Sequence, residues 1–225
     1  MKTPVNSRTL KQHLTYNWWK YVLALIAGTF LVNLLFTVTN PRIPEDKRVD
    51  FYIYGYVSQE RLQPYMDTVH REQMPDMESL SFVTMIPDDA YGPMQLTTYV
   101  AVQEGDLYLL PREQFLSLSG SGAFLPLEDQ KDLMDFFTEK GLDLRRGWRT
   151  LQDSSETHLF GIPAEFLPDL SNFCLAEDGF LCVLVNGGNA ENTLKFLRIL
   201  CDDMSSGKYA LPEKEPTSSP VPANP

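Results

Sequence analysis

The sequence predicts an α/β domain with a mainly parallel sheet flanked by helices, preceded by one N-terminal transmembrane helix. Three observations carry this expectation. An apolar run at residues 18–38 follows a basic stretch. Segments rich in β-branched and aromatic residues then alternate with segments of helical period between residues 49 and 140. From Lys208 onward the chain turns to proline, serine and mixed charge.

The apolar run has 21 residues, and the 18 from Tyr21 to Val38 carry no charge. At ~1.5 Å per residue a helix of this length reaches about the ~30 Å of a hydrocarbon core. Trp18, Trp19 and Tyr21 sit where an aromatic belt lies, and Lys20 can extend its ammonium to the headgroups. Lys2, Arg8 and Lys11 also precede the run with no acid among them, whereas Arg42, Lys47 and Arg48 after it are offset by Glu45, Asp46 and Asp50. The positive-inside bias then places the N-terminus in the cytoplasm and the body outside, at a cell membrane crossed once. A cleaved signal peptide is the competing reading; the length of the run and the lack of a small-x-small site favour an anchor. Asn33 either bonds a partner helix or is tolerated alone.

The expected divisions are a cytoplasmic stub (1–17), the span (18–40), a linker (41–48), an extracytoplasmic α/β domain (49–207) and a disordered Pro-rich tail (208–225). After residue 40 the chain carries 15 basic and 30 acidic side chains, a formal charge of −15. Such a body repels phosphate backbones, which excludes nucleic acid as a partner class.

Residues 49–57 read as a first strand, with Phe51, Ile53, Gly55 and Val57 on one face and Tyr52, Tyr54 and Tyr56 on the other. Apolar groups on both faces suit a strand covered on both sides. Ser58 is placed to N-cap a helix to about Gln73, with a break or restart at Pro64. Residues 80–86 form a second strand ended by Pro87-Asp88-Asp89, and residues 94–104 a helix stopped by Gly105. A short strand at 106–110, a helix at 112–119 and a helix at 128–140 follow, the last stopped by Gly141. Strands alternating with helices imply parallel pairing.

Several local patterns are similar to extracellular solute-binding proteins, the periplasmic-binding-protein-like receptors of type 2. Met74-Pro75-Asp76 resembles that family's passage from first helix to second strand. Gly105-Asp106-Leu107-Tyr108-Leu109-Leu110 resembles the entry to its third strand. Gly122-Ala123-Phe124-Leu125-Pro126-Leu127-Glu128-Asp129 is similar to its turn of small residues, then apolar-proline-leucine-acid-acid. Leu159-Phe160-Gly161-Ile162-Pro163 resembles the strand entering the interlobe hinge, and Val183-Leu184-Val185-Asn186, with Asn192-Thr193-Leu194-Lys195-Phe196-Leu197, the returning strand and its helix. The likeness implies a single lobe, because only 18 residues separate Pro163 from Cys182 where the family holds a whole second lobe. It also implies ligand or protein recognition outside the membrane, with a transporter or other membrane complex as partner and a sugar or a peptide as small-molecule ligand. The hinge closure of the family loses its second jaw.

Open α/β sheets bind ligands at the carboxyl ends of their strands. The candidate site residues are therefore Tyr56, Val57 and Ser58 after the first strand, Pro87, Asp88 and Asp89 after the second, and Pro111, Arg112 and Glu113 after the third. Turning the chain is the plain alternative for all of them.

Cys174 and Cys182 flank the turn sequence Ala176-Glu177-Asp178-Gly179. A three-residue loop at 177–179 sets them opposite each other for a disulfide, and a two-residue loop at 178–179 puts them on opposite faces; buried free thiols are the third possibility. Cys201 reads as core. His13, His70 and His158 have no metal spacing, and no cofactor is called for. The pairs Asp88-Asp89 and Asp202-Asp203 read as turn and helix-end residues, and Asn186-Gly187-Gly188-Asn189 as a loop before a helix. No nucleophile, base and orienting group can be named together, so the expectation is a binding module and not an enzyme. A structural or assembly subunit of a membrane complex, without a small-molecule ligand, is the second expectation.

Overall fold

The computed structural model describes residues 7–39, 43–88, 90–175, 178–185 and 188–209. Two compact units divide the chain, Met1–Arg42 and Ile43–Pro225.

The first unit contains one helix, α1 (Ser7–Thr39). Its stretch Asn17–Thr37 is long and apolar enough to cross a membrane, a description that a signal sequence also meets. Three polar groups deep in that stretch are satisfied within the helix. Thr29 Oγ1, Asn33 Nδ2 and Thr37 Oγ1 each donate to the carbonyl four residues earlier, at 2.8–3.0 Å. Such back-bonding removes much of the cost of placing a hydroxyl or amide in hydrocarbon.

In the second unit a 3-10 turn at Glu45–Lys47 leads into β1 (Arg48–Tyr54), α2 (Gln59–Gln73), β2 (Ser79–Met85), α3 (Gly92–Ala101), β3 (Leu107–Pro111), α4 (Arg112–Ser119) and α5 (Lys131–Glu139). Then follow β4 (Trp148–Thr150), β5 (Thr157–Leu159), β6 (Ile162–Pro163), β7 (Gly179–Val183) and α6 (Ala190–Ser205). The main sheet has the order β2-β1-β3-β7-β6, and β4 and β5 form a separate antiparallel pair.

β1 lies parallel to β2, with Phe51 beside Phe82, and parallel to β3, with Tyr52 beside Tyr108. β7 runs antiparallel to β3, with Tyr108 beside Cys182, and β6 antiparallel to β7. The sheet is thus mixed, where the alternation of elements predicted a mainly parallel one. β7 is reached without a helical crossover, through 3-10 turns at Ala164–Phe166 and Pro168–Asn172.

Side-chain alternation along the strands separates two cores. Val49, Phe51, Ile53, Leu107, Leu109, Leu181 and Val183 pack with Leu62, Met66 and Val69 of α2, Phe137 of α5 and Phe196, Leu197 and Leu200 of α6. Tyr52, Tyr54, Tyr108, Leu110, Phe180 and Cys182 pack with Leu96 of α3, Phe115 of α4, Phe124 and Phe160. The sheet is therefore a middle layer with helices on both sides. Every residue of β7 is buried, whereas β2 is mostly half-buried, as position in the sheet requires. Tyr52 and Tyr108 stack at 5.1 Å, and Phe115 and Phe180 at 4.2 Å.

Several local expectations need correction. α2 runs through Pro64 without a break, the ring facing solvent, and Ser58 precedes it without a side-chain capping bond. α3 stops three residues before Glu104 because the chain turns into the left-handed region at Gln103 (φ 59°) and Gly105 (φ 87°). At Gly105 a Cβ would lie 2.4 Å from the Tyr52 ring, so only glycine fits there. α5 starts at Lys131, not at Glu128, whose carboxylate is turned toward β5.

The disulfide considered between Cys174 and Cys182 does not form. Cys174, Cys182 and Cys201 are free and buried. Cys174 bridges to Val57 across the end of β1 and packs in the first core, while Cys182 points into the second. Burial raises all three thiols, Cys174 to about 12.

Of the first two residues expected in the disordered tail, Lys208 is exposed and Tyr209 is half-buried and packed. Tyr209 N–H donates to Asp169 Oδ2 at 2.9 Å, and Asn172 Nδ2 donates to the Tyr209 carbonyl at 2.9 Å. The Tyr209 ring meets Tyr65 at 5.3 Å and Phe173 at 5.6 Å. Residues 210–225 lie outside the described residues, as do Asp89, Ala176, Glu177, Asn186 and Gly187.

Candidate functional site at the carboxyl ends of the parallel strands

The chain leaves β1 toward β2 through α2 on one face, then passes back over β1 to β3 through α3 on the other. The carboxyl ends of β1 and β3 therefore flank the place where strand order reverses, the usual crevice of open α/β sheets.

Three residues past β1 follow different paths. Tyr56 is 45% exposed, and its hydroxyl donates to Asp88 Oδ2. This bond, more than burial, holds the phenol above its ordinary pKa. Val57 is half-buried and bridges Cys174. Ser58 N–H donates to the Phe173 carbonyl at 2.8 Å, and Leu175 N–H donates to the Tyr56 carbonyl at 3.0 Å. Residues 173–175 thus strap the chain beyond β1 and occupy main-chain groups that a ligand would otherwise meet.

Asp88 follows the turn at Pro87, after β2, and is exposed; Pro87 is half-buried. Pro111 closes β3 opposite Gly179. Arg112 and Glu113 open α4, and Arg112 Nη1 lies 3.9 Å from Asp178 Oδ2. Burial raises the Tyr54 phenol, and Glu113 and Asp88 act in the same direction. The structure joins Tyr56 to Asp88 through the phenol hydroxyl. It places Arg112 with β7 instead.

Residues outside the predicted set complete the surface. Arg146 donates to Glu165 Oε2 at 2.7 Å and to Asp178 Oδ1, with its guanidinium 5.6 Å from the Phe180 ring centre. These groups are partly exposed, so each ion pair contributes only ~0–1 kcal/mol; the arrangement orients more than it stabilises. Apolar side chains stand out beside them. Ile86 follows β2, Tyr91 and Met94 open α3, and Leu175 tops the strap, each between 44% and 65% exposed. No spacing in the sequence marks Arg146, Asp178 or Leu175, because they reach this end of the sheet from the β4 and β7 approaches.

Among these described residues four carboxylates (Asp88, Glu113, Glu165, Asp178) face two guanidiniums (Arg112, Arg146). That balance disfavours an anionic ligand. Among the described residues no group of three His, Cys, Asp or Glu side chains is placed to hold a metal ion. His70 Nε2 lies 2.8 Å from the Met77 carbonyl, and His158 pairs with Glu128. Concavities are found elsewhere. A groove of about 700 Å³ lies between the starts of α5 and α6, one of about 370 Å³ lies beside Tyr209, and one of about 250 Å³ lies at the amino end of the sheet near Asp106.

No family model matches this chain, and no curated protein does. Among solved structures, an extracellular solute-binding protein of family 1 from Alicyclobacillus acidocaldarius subsp. acidocaldarius DSM 446 is 17% identical, with a TM-score of 0.37. The similarity covers 52% of this chain and 27% of that one. It is partial and concerns fold alone.

Proposed function

We propose that this chain is a membrane-anchored, non-catalytic recognition module that binds another protein on the extracytoplasmic side, through the carboxyl-end surface of its sheet. The observation that carries this reading is the group of exposed apolar side chains Tyr56, Ile86, Tyr91, Met94 and Leu175, set beside Asp88, Glu113 and the Arg112–Asp178 pair. An open apolar surface rimmed by charge suits a protein partner, whereas a small solute needs enclosure. The apolar helix α1 supplies the anchor, with the basic N-terminal side cytoplasmic.

Photo-crosslinking of the full chain in its native membrane tests this. A photoreactive residue at position 56 or 94 is expected to give a discrete adduct that Leu175→Asp abolishes, while the same residue at exposed position 63 on α2 gives none. Absence of an adduct from both 56 and 94 sinks the reading.

A second reading, a structural or assembly subunit with no small-molecule ligand, draws on the strap at 173–175 across the end of β1. A sugar, amino-acid or peptide that raises the melting temperature of the full chain by mass action would count against it.

A further inference from the structure

β2 is an edge of the five-stranded sheet. Gly55 N–H donates to the Met85 carbonyl and Asp106 N–H to the Asp50 carbonyl, which sets the phase of both parallel ladders. Along a strand the main-chain groups of successive residues turn to alternate sides. Ser81, Val83 and Met85 therefore face β1, and Leu80, Phe82 and Thr84 direct their N–H and C=O groups outward.

Edges of this kind are normally blunted by charge, proline or brevity. β2 has seven residues, Ser-Leu-Ser-Phe-Val-Thr-Met, with neither charge nor proline. The adjoining helix α3 carries no charge either. Acids stand beyond both ends, Asp76 and Glu78 before the strand and Asp88 after it, all exposed. Two basic groups stand near its amino end: Lys47, its Nζ 3.4 Å from the Asp76 carbonyl, and Arg48, which lies opposite Ser79 and is offset by Asp50 at 3.1 Å.

This charge pattern selects the occupant. In an antiparallel pairing of two copies centred on Phe82, Asp76 of each meets Asp88 of the other, and like charges directly opposite are unfavourable. The chain's own residues 210–225 contain five prolines, which lack the donors a ladder needs. Acidic ends instead match a foreign strand with basic residues at its own ends.

We propose that β2 is an acceptor edge for an extended segment of another protein, one with alternating apolar residues and basic residues beyond each end, bound by strand addition. On the α2 side its side chains run beside Leu80 and Phe82, which pack toward the first core; on the α3 side they run beside Ser81 and Val83. The edge meets the strand-end surface at Asp88, which the two share, whereas the outward main-chain groups of Leu80, Phe82 and Thr84 belong to the edge alone.

The test uses the full chain in nanodiscs of zwitterionic lipid, with empty nanodiscs as control. The probe is the peptide Lys-Lys-Val-Thr-Val-Thr-Val-Lys-Lys, together with a Glu-flanked analogue and two versions N-methylated at alternate amides. The Lys-flanked peptide is expected to bind saturably and to slow hydrogen exchange at the Phe82 and Thr84 amides. One N-methylated version should lose at least about tenfold in affinity while the other holds, and the Glu-flanked analogue should also lose at least about tenfold. Absence of saturable binding, equal effects of the two methylation patterns, an equally tight Glu-flanked analogue, or protection confined to other segments would each overturn the proposal.

Discussion

Glu128 accepts a hydrogen bond from His158 Nδ1 at 2.5 Å through one carboxylate oxygen and from the Leu159 N–H at 2.9 Å through the other. The turn before α5 is thereby tied to β5. Leu127 N–H, beside it, donates to the Leu159 carbonyl at 2.8 Å.

The Glu128–His158 pair makes stability depend on pH. The bond to Glu128 raises His158 above 6.5; burial alone would raise Glu128 above 4.5, but its hydrogen bonds outweigh that and lower it. The histidine contribution is full below its unfolded value and is lost as pH rises through the folded one. The glutamate contribution is full above its unfolded value and is lost as pH falls through the folded one. Melting curves of wild type and Glu128→Gln should therefore differ most near pH ~5.5 and less at pH ~8. An equal difference at both pH values contradicts the pairing.

Asp106 is 6% exposed, accepts the Asp50 N–H at 2.8 Å, and is raised to about 6, chiefly by burial. Its protonated form is the one the fold favours, so stability is highest below the unfolded value near 3.8 and falls as pH rises toward about 6. At neutral pH the charged group costs on the order of 3 kcal/mol. Asp106→Asn keeps an acceptor for Asp50 and should melt higher than wild type at pH ~7.5, with the gain gone by pH ~4. A lower melting point at both would refute this.

Three buried thiols on separate packing sites imply indifference to reductant. Dithiothreitol should leave the melting temperature unchanged, and maleimide labelling should follow global unfolding, since burial holds Cys174 at about 12 and keeps it protonated. A mass two units below the all-thiol value would show a bridge.

Gly147 abuts the main chain of Gly161 so closely that a Cβ would meet the Gly161 carbonyl oxygen at 1.8 Å. Backbone cannot step aside as a side-chain tip can. Gly147→Ala should cost ~3 kcal/mol or more in denaturant melts, whereas Gly141→Ala, with nothing within 4 Å but φ 69°, should cost about 1 kcal/mol. Equal costs would show that the close approach is absent.

Local punctuation decided how much was legible. α4 matches its expected bounds of residues 112–119 because Pro111 precedes it and Gly120-Ser121-Gly122 follows. β2, expected at 80–86, lies within a residue of its observed bounds. The end of α3 was not legible, since Gly105 is the stop signal in the sequence, whereas the chain already leaves the helix after Ala101 and takes the left-handed region at Gln103. At the candidate site, Tyr56, Asp88 and Glu113 could be nominated because each directly follows a strand. Arg146, Glu165, Asp178 and Leu175 could not, because only folding brings them to the same end of the sheet.

By itself the sequence determined an uncharged apolar helix ahead of an acidic body, and a body of strands and helices in alternation. Both follow from near-neighbour chemistry: charge over 18 residues, and side-chain period over a few turns or pleats. The tertiary structure alone decided that β7 enters antiparallel beside β3, which makes the sheet mixed and sends Cys174 and Cys182 into different cores. Strand direction and facing are set by which partner completes the ladder and buries the apolar side, and those partners, Tyr108 for Cys182 and Val57 for Cys174, lie more than seventy residues away in the chain.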